Sequence, residues 1–207
     1  MPRLAIHTAA LIAVLELIAF GATFADDLQV RPERSVPFGI IWAKLLYFTI
    51  LTNALAGLAF AQAAWRGRSW GDGWLAALTL WMGIVAVVFH LLLADDRART
   101  TLDWVANGLF HTICPALVAF WWATFAPKSR LKWRMAVIWL AWPGGYLLYA
   151  ILRGMGSGVY PYFFVDLDRL GWAGLASWSM TLLAAFFVSG LAIVTLGKGL
   201  ARVAVSR

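Results

Sequence analysis

The sequence predicts an all-α polytopic membrane protein with six transmembrane helices and both termini cytoplasmic. Three observations predict it. The 207 residues are 62% hydrophobic and only 13% charged, and a soluble chain of this size cannot bury that much apolar surface. The apolar residues gather into six runs, each near the roughly 20 residues that cross a bilayer. Lys and Arg crowd alternate connections, as the positive-inside rule requires. The thirteen Trp suit membrane–water interfaces, and the net charge of +7 is read as topology signal and lipid-headgroup contact rather than nucleic-acid binding.

The first span is placed at residues 4–25. It can be taken for a leader, with Arg3, an apolar stretch and Thr23-Phe24-Ala25 as a loose cleavage site, but its length and the central Glu16 favour a retained helix. The second, 39–64, carries Lys44, Thr49 and Asn53; the third, 73–93, carries His90. The fourth, 104–126, holds Asn107, His111, Cys114 and Pro115. Pro115 removes the hydrogen bond to the His111 carbonyl and predicts a kink beside that histidine. The fifth, 133–152, contains Pro143-Gly144-Gly145, a second predicted kink. The sixth is 171–196. Short linkers make neighbours antiparallel. No repeat or second domain is visible, so residues 1–207 read as one transmembrane domain.

With the N-terminus inside, the inner segments carry ten cations (Arg3, Arg66, Arg68, Lys128, Arg130, Lys132, Arg134, Lys198, Arg202, Arg207) against one acid, Asp72. The outer segments carry seven cations (Arg31, Arg34, Lys44, Arg97, Arg99, Arg153, Arg169) and eight acids (Asp26, Asp27, Glu33, Asp95, Asp96, Asp103, Asp166, Asp168). The basic connection between the fourth and fifth spans is the strongest single signal.

Polar side chains inside apolar spans are costly and therefore informative. At 1.5 Å per residue, Thr49 lies roughly 15 Å below the outer surface, Glu16 roughly 13 Å and His111 roughly 11 Å. Three reactive groups from three helices thus share a depth. Thr49 and Asn53, and likewise Asn107 and His111, are four apart and share helix faces. His90 and Lys44 are shallower. Each residue also has a purely structural reading: a membrane Thr bonds its own backbone, an Asn links helices, a lone His packs, and Glu16 pairs with Lys44 or Arg153. The connection Arg153-Gly-Met-Gly-Ser-Gly-Val-Tyr160-Pro-Tyr162-Phe-Phe-Val-Asp166 reads as an interfacial aromatic anchor or a lid over the polar site.

Three stretches carry a resemblance: Leu46-Tyr47-Phe48-Thr49-Ile50-Leu51-Thr52-Asn53, Asn107-Gly108-Leu109-Phe110-His111-Thr112-Ile113-Cys114-Pro115, and the Gly-Val-Tyr-Pro-Tyr-Phe-Phe loop. In six spans with both ends inside, the chain resembles the androgen-induced and androgen-dependent TFPI-regulating protein family, nearest its uncharacterised bacterial relatives. The resemblance implies an intramembrane hydrolase of fatty acid esters of hydroxy fatty acids, with Thr49 as nucleophile and His111 as its histidine. Asn107 departs from the animal pattern at the first polar position of its motif. The likeness and the short loops together imply a bacterial inner membrane.

A threonine hydroxyl needs a base, and a histidine titrating near neutrality suits that task. A third group should orient the imidazole: Glu16 by depth, or Asp166 from the loop. Asn53 or Asn107 is expected to supply an oxyanion donor. His90, Arg153, Tyr160, Tyr162 and Asp166 are substrate or lid candidates. This chemistry needs no cofactor and no metal; its partners are membrane lipids or a lipid ester. Two other classes compete. His90 and His111 on adjacent helices can ligate one haem axially, and broken helices at mid-depth suit a non-catalytic lipid-binding or transport protein.

Overall fold

The computed structural model describes residues 1–30, 37–95 and 100–205. Arg31, Glu33, Arg34, Asp96, Arg97, Arg99 and Arg207, which enter the charge balance above, lie outside the described residues. The fold is all-α, with six helical segments long and apolar enough to cross a membrane: Arg3–Val30, Phe48–Arg66, Asp72–Leu93, Thr101–Phe125, Met135–Ser157 and Leu167–Arg202.

Helix α1 (Arg3–Val30) runs five residues beyond its predicted end at residue 25. Its buried face is Ala5, Ala9, Ile12, Glu16, Ala19 and Ala22, a spacing of three and four that keeps one side of the helix inward. It packs on α3 (Phe48–Arg66), where the stem of Glu16 stands against Gly57. Small residues on both partners let the two backbones approach without lipid between them. Leu17, Leu58, Met180 and Val188 remain exposed on the outside of the bundle, as expected of surface in contact with hydrocarbon.

The second predicted span, 39–64, is not continuous. It divides into α2 (Pro37–Lys44) and α3, separated by Leu45–Tyr47. No proline or glycine occupies the break. Side chains from a neighbouring helix hold it open: the Tyr146 hydroxyl donates to the Leu46 carbonyl at 2.9 Å and the Tyr149 hydroxyl to Leu45 at 3.2 Å. Arg153 donates to the Trp42 carbonyl at 2.5 Å and lies over the Trp42 ring at 4.1 Å. Carbonyls freed by a broken helix need such partners in a medium without water.

Helix α4 (Asp72–Val88) ends in a π-helical turn, Phe89–Leu93. Helix α5 (Thr101–Gly108) passes through a second π-helical turn, Leu109–Ile113, into α6 (Cys114–Phe125). The kink predicted from Pro115 is this turn: the Cys114 amide reaches five residues back to Leu109, and Pro115 has no N–H to offer. The fifth span likewise divides, into α7 (Met135–Ile138) and α8 (Ala141–Ser157). Pro143 has no N–H for the Trp139 carbonyl, and that carbonyl accepts instead from Trp81 Nε1 at 3.1 Å. After a short 3₁₀ turn at Phe163–Val165, α9 runs Leu167–Val205 with a bend at Gly171, whose φ of 63° favours glycine.

One end of the bundle gathers the N-terminus, the α3–α4 connection, the basic connection 126–134 and the last turns of α9. Met1 N donates to the Gly67 carbonyl at 3.0 Å, Arg130 N to Asp72 at 3.2 Å, and Lys198 lies over the Trp133 ring at 5.3 Å. The N-terminus and the last described turns of α9 therefore lie at one end of the bundle. The polar site lies toward the other.

Candidate active site

Thr49 and His111 meet. The Thr49 Oγ1 to His111 Nε2 distance is 3.4 Å. His111 Nδ1 lies 3.1 Å from the carbonyl oxygen of Asn107, one turn earlier. A carbonyl only accepts, so Nδ1 carries the proton and Nε2 presents a lone pair to the threonine hydroxyl. The imidazole is also fixed in plane, because the Phe89 ring stacks on it at 3.7 Å with 10° between the planes. Phe89 opens one π-helical turn and His111 is central in the other.

The broken second span explains why Thr49 is available. Thr8, Thr79, Thr181 and Thr195 all donate to the carbonyl four residues back in their own helices. For Thr49 that carbonyl is Leu45, which lies in the break and already accepts from Tyr149. Thr49 is instead the second residue of α3, where backbone N–H groups lack partners within the helix.

Two cavities meet at this threonine. A narrow apolar cavity of ≈ 70 Å³ runs between α4, α8 and α9, lined by Ile84, Val85, Leu147, Leu182, Leu183 and Phe186 among others. A wider polar chamber of ≈ 750 Å³ is lined by Asp26, Asp27, Lys44, Asp103, Asn107, His111 and Arg153. Thr49, Leu93 and Tyr162 line both.

The remaining expected site residues fall in several places. Arg153 reaches the polar chamber, as does Tyr162. The Tyr162 hydroxyl stands against the Thr49 hydroxyl and the Thr49 and Phe48 amides. Burial pushes this phenol above a tyrosine's ordinary value and outweighs those opposing contacts, so it stays protonated. Tyr160 lies over Gly154, which anchors the loop. Asp166 caps α9, accepting from Arg169 N at 3.0 Å, and so does not orient the imidazole.

Glu16 does not orient it either. Its stem packs on Gly57 and its carboxyl is buried against the Cys114 thiol. The longer α1 is the reason: Glu16 lies fourteen rather than nine residues from its outer end, roughly 7 Å deeper than the predicted depth. Nor does it pair with Lys44, which bridges Asp27 at 3.1 Å and donates to Thr23 at 2.8 Å. The Asn amides are also engaged. Asn53 donates to the Thr49 carbonyl at 2.8 Å, and Asn107 donates to both Asp103 oxygens, backbone and side chain, at 2.8 Å. Asn107 contributes its carbonyl to His111 instead of its amide to an oxyanion.

His90 faces Thr112 Oγ1 at 3.0 Å on the exposed side of its turn. With His111 directed at Thr49 and covered by Phe89, the two histidines do not form an axial pair. Among the described residues, no group of three or more His, Cys, Asp or Glu gathers into a metal-ligand set.

Sequence reasoning missed the break at residues 45–47, the Phe89 stack and the polar-chamber acids Asp26 and Asp27. The acids were assigned to an outer loop but belong to α1. Comparison with family models, with characterised proteins and with solved structures finds no match to this chain.

Proposed function

We propose that this protein is an intramembrane threonine hydrolase of lipid esters, with Thr49 as nucleophile and His111 as base. The observation that carries the reading is the Thr49–His111 contact of 3.4 Å at the junction of an apolar and a polar cavity. Such a junction suits an ester whose acyl chain is apolar and whose alcohol side is polar.

In the first step Thr49 Oγ bonds to the acyl carbon and its proton passes to His111 Nε2. The carbonyl π pair moves onto oxygen. Collapse breaks the ester C–O bond, and the alkoxide takes the proton from His111. Water then attacks the acyl-threonine while His111 removes its proton; that proton returns to Thr49 as the acid leaves. The Asn107 carbonyl holds the imidazole in the required tautomer. A contact of 3.4 Å is longer than a strong hydrogen bond, as is common before substrate closes a site.

The resemblance to the androgen-induced and androgen-dependent TFPI-regulating family supports the same assignment and suggests fatty acid esters of hydroxy fatty acids as substrates. The charge bias between the two ends supports cytoplasmic termini in a bacterial inner membrane, with the polar chamber opening outward.

The test is covalent labelling of purified protein by an alkyl fluorophosphonate. Thr49 Oγ displaces fluoride from phosphorus and His111 takes the proton. Labelling at Thr49 is expected in wild type, with loss of about 10³-fold or more in rate in Thr49→Ala and His111→Ala. A folded wild type that neither labels nor hydrolyses any ester would leave a lipid-binding or transport role for the same cavities.

A further inference from the structure

We infer that Tyr162 is a third catalytic group of this site, its hydroxyl donating a hydrogen bond to the oxyanion formed when Thr49 attacks the ester. The inference rests on the hydrolase reading and extends it to a residue on the lid.

The first argument is position. Thr49 and Tyr162 line both cavities where they join. A carbonyl carbon within reach of Thr49 Oγ1 therefore lies beside the phenol. The ring is fixed there: Phe164 stacks on it at 5.0 Å, and Tyr47 meets its edge at 5.9 Å. The loop that carries it is held at one end by Tyr160 over Gly154. At the other, Phe164 and Val165 are buried against Leu175.

The second argument is polarisation. Tyr162 faces the amides of Phe48 and Thr49 in the first turn of α3. In that turn the Leu51 amide already bonds back to Tyr47 at 3.2 Å, whereas the preceding amides lack such partners. The positive end of α3, beside which the hydroxyl lies, polarises it and strengthens its donation. The helix terminus thus acts on the oxyanion through the phenol. Burial also keeps the phenol protonated, which a donor requires.

The third argument is the commitment of the other donors. Asn53 and Asn107 bond within their own helices. Lys44 is held by Asp27 and Thr23, and Arg153 by Tyr149 and the Trp42 carbonyl.

Tyr162→Phe keeps the ring and its stacking, and removes the donor alone. With p-nitrophenyl octanoate as the probe ester, kcat is expected to fall about 10²–10³-fold, the usual loss for one oxyanion donor, with KM little changed. The matching measurement uses an octyl trifluoromethyl ketone. Thr49 Oγ adds to its carbonyl carbon, the proton goes to His111, and the oxygen becomes an anion. Its Ki should rise in Tyr162→Phe by a factor comparable to the loss of kcat, whereas the Ki of the matching alkane, which forms no anion, should not move. Unchanged or increased kcat in Tyr162→Phe, with hydrolysis still dependent on Thr49 and His111, would overturn the donor role and identify Tyr162 as a plug. Hydrolysis equal in wild type and Thr49→Ala would overturn the hydrolase reading itself, and this role with it.

Discussion

Tyr149→Phe tests whether the helix break is what frees Thr49. Tyr149 lines neither cavity, so its loss touches no substrate. Its hydroxyl donates to Leu45 at 3.2 Å and accepts from Arg153 at 2.6 Å. A neutral hydrogen bond is worth about 1 kcal/mol and a charge-assisted one about 1.5–3 kcal/mol. Arg153 keeps its second bond, to the Trp42 carbonyl, so a stability loss of about 2 kcal/mol is expected. The larger consequence is local. The Leu45 carbonyl, four residues before Thr49, is left open. If residues 45–48 wind into helix, Thr49 gains the backbone partner that Thr8, Thr79, Thr181 and Thr195 already use. A competing bond of about 1 kcal/mol lowers the fraction of Thr49 facing His111 about fivefold. Pseudo-first-order fluorophosphonate labelling in nanodiscs reads that fraction, and a thermal midpoint reads stability. A fivefold slower labelling with a lowered midpoint is expected. A lowered midpoint with an unchanged labelling rate would refute the reasoning, because the cap would then stabilise the break without controlling the threonine.

The other predictions concern the lid and the second broken span. In Gly154→Ala the new Cβ would lie 2.1 Å from the Tyr160 ring, so the 158–166 loop should exchange its amide hydrogens faster, and Tyr160→Ala in the same chain should restore protection. Trp81→Phe leaves the Trp139 carbonyl without its donor and should cost about 1–3 kcal/mol. Pro143→Ala supplies an N–H to that carbonyl, so the double variant should lose less than the sum of the two single changes in a thermal double-mutant cycle.

The number of spans and the meeting of Thr49 with His111 were legible because they depend on one coordinate, depth. Apolar run length fixes where a helix can cross, and rise per residue fixes how deep a side chain sits. Thr49 and His111 were expected at similar depth and lie 3.4 Å apart. Depth alone misplaced Glu16, because its estimate assumed that α1 ended at residue 25. Asp26 and Asp27 look like loop residues, yet α1 continues through them to Val30. Two acids at a helix end satisfied by Thr100 and Lys44 give no sign in the α1 sequence that they are helical.

What the sequence did not disclose is the set of helix defects that makes the polar residues available. A threonine in a regular transmembrane helix spends its hydroxyl on its own backbone, as four others here do; one that is to act on a ligand must sit where that carbonyl is taken or absent. Pro115 and Pro143 announce their defects locally, because a missing N–H is written in the residue itself. The break before Thr49 is written elsewhere, in Tyr146, Tyr149 and Arg153, about a hundred residues away in sequence. Lys44-Leu45-Leu46-Tyr47 has no breaker, and in isolation its propensities permit helix. The tertiary partners override them because each supplies a donor to a carbonyl that would otherwise be orphaned in hydrocarbon. Two such defects converge on one pair of side chains: the break frees Thr49, and the π-helical turn containing His111 sets its ring against Phe89 and aims Nε2 at the threonine. A merely structural role for these polar groups would be met by bonds within regular helices, whereas a nucleophile and base need this departure from them.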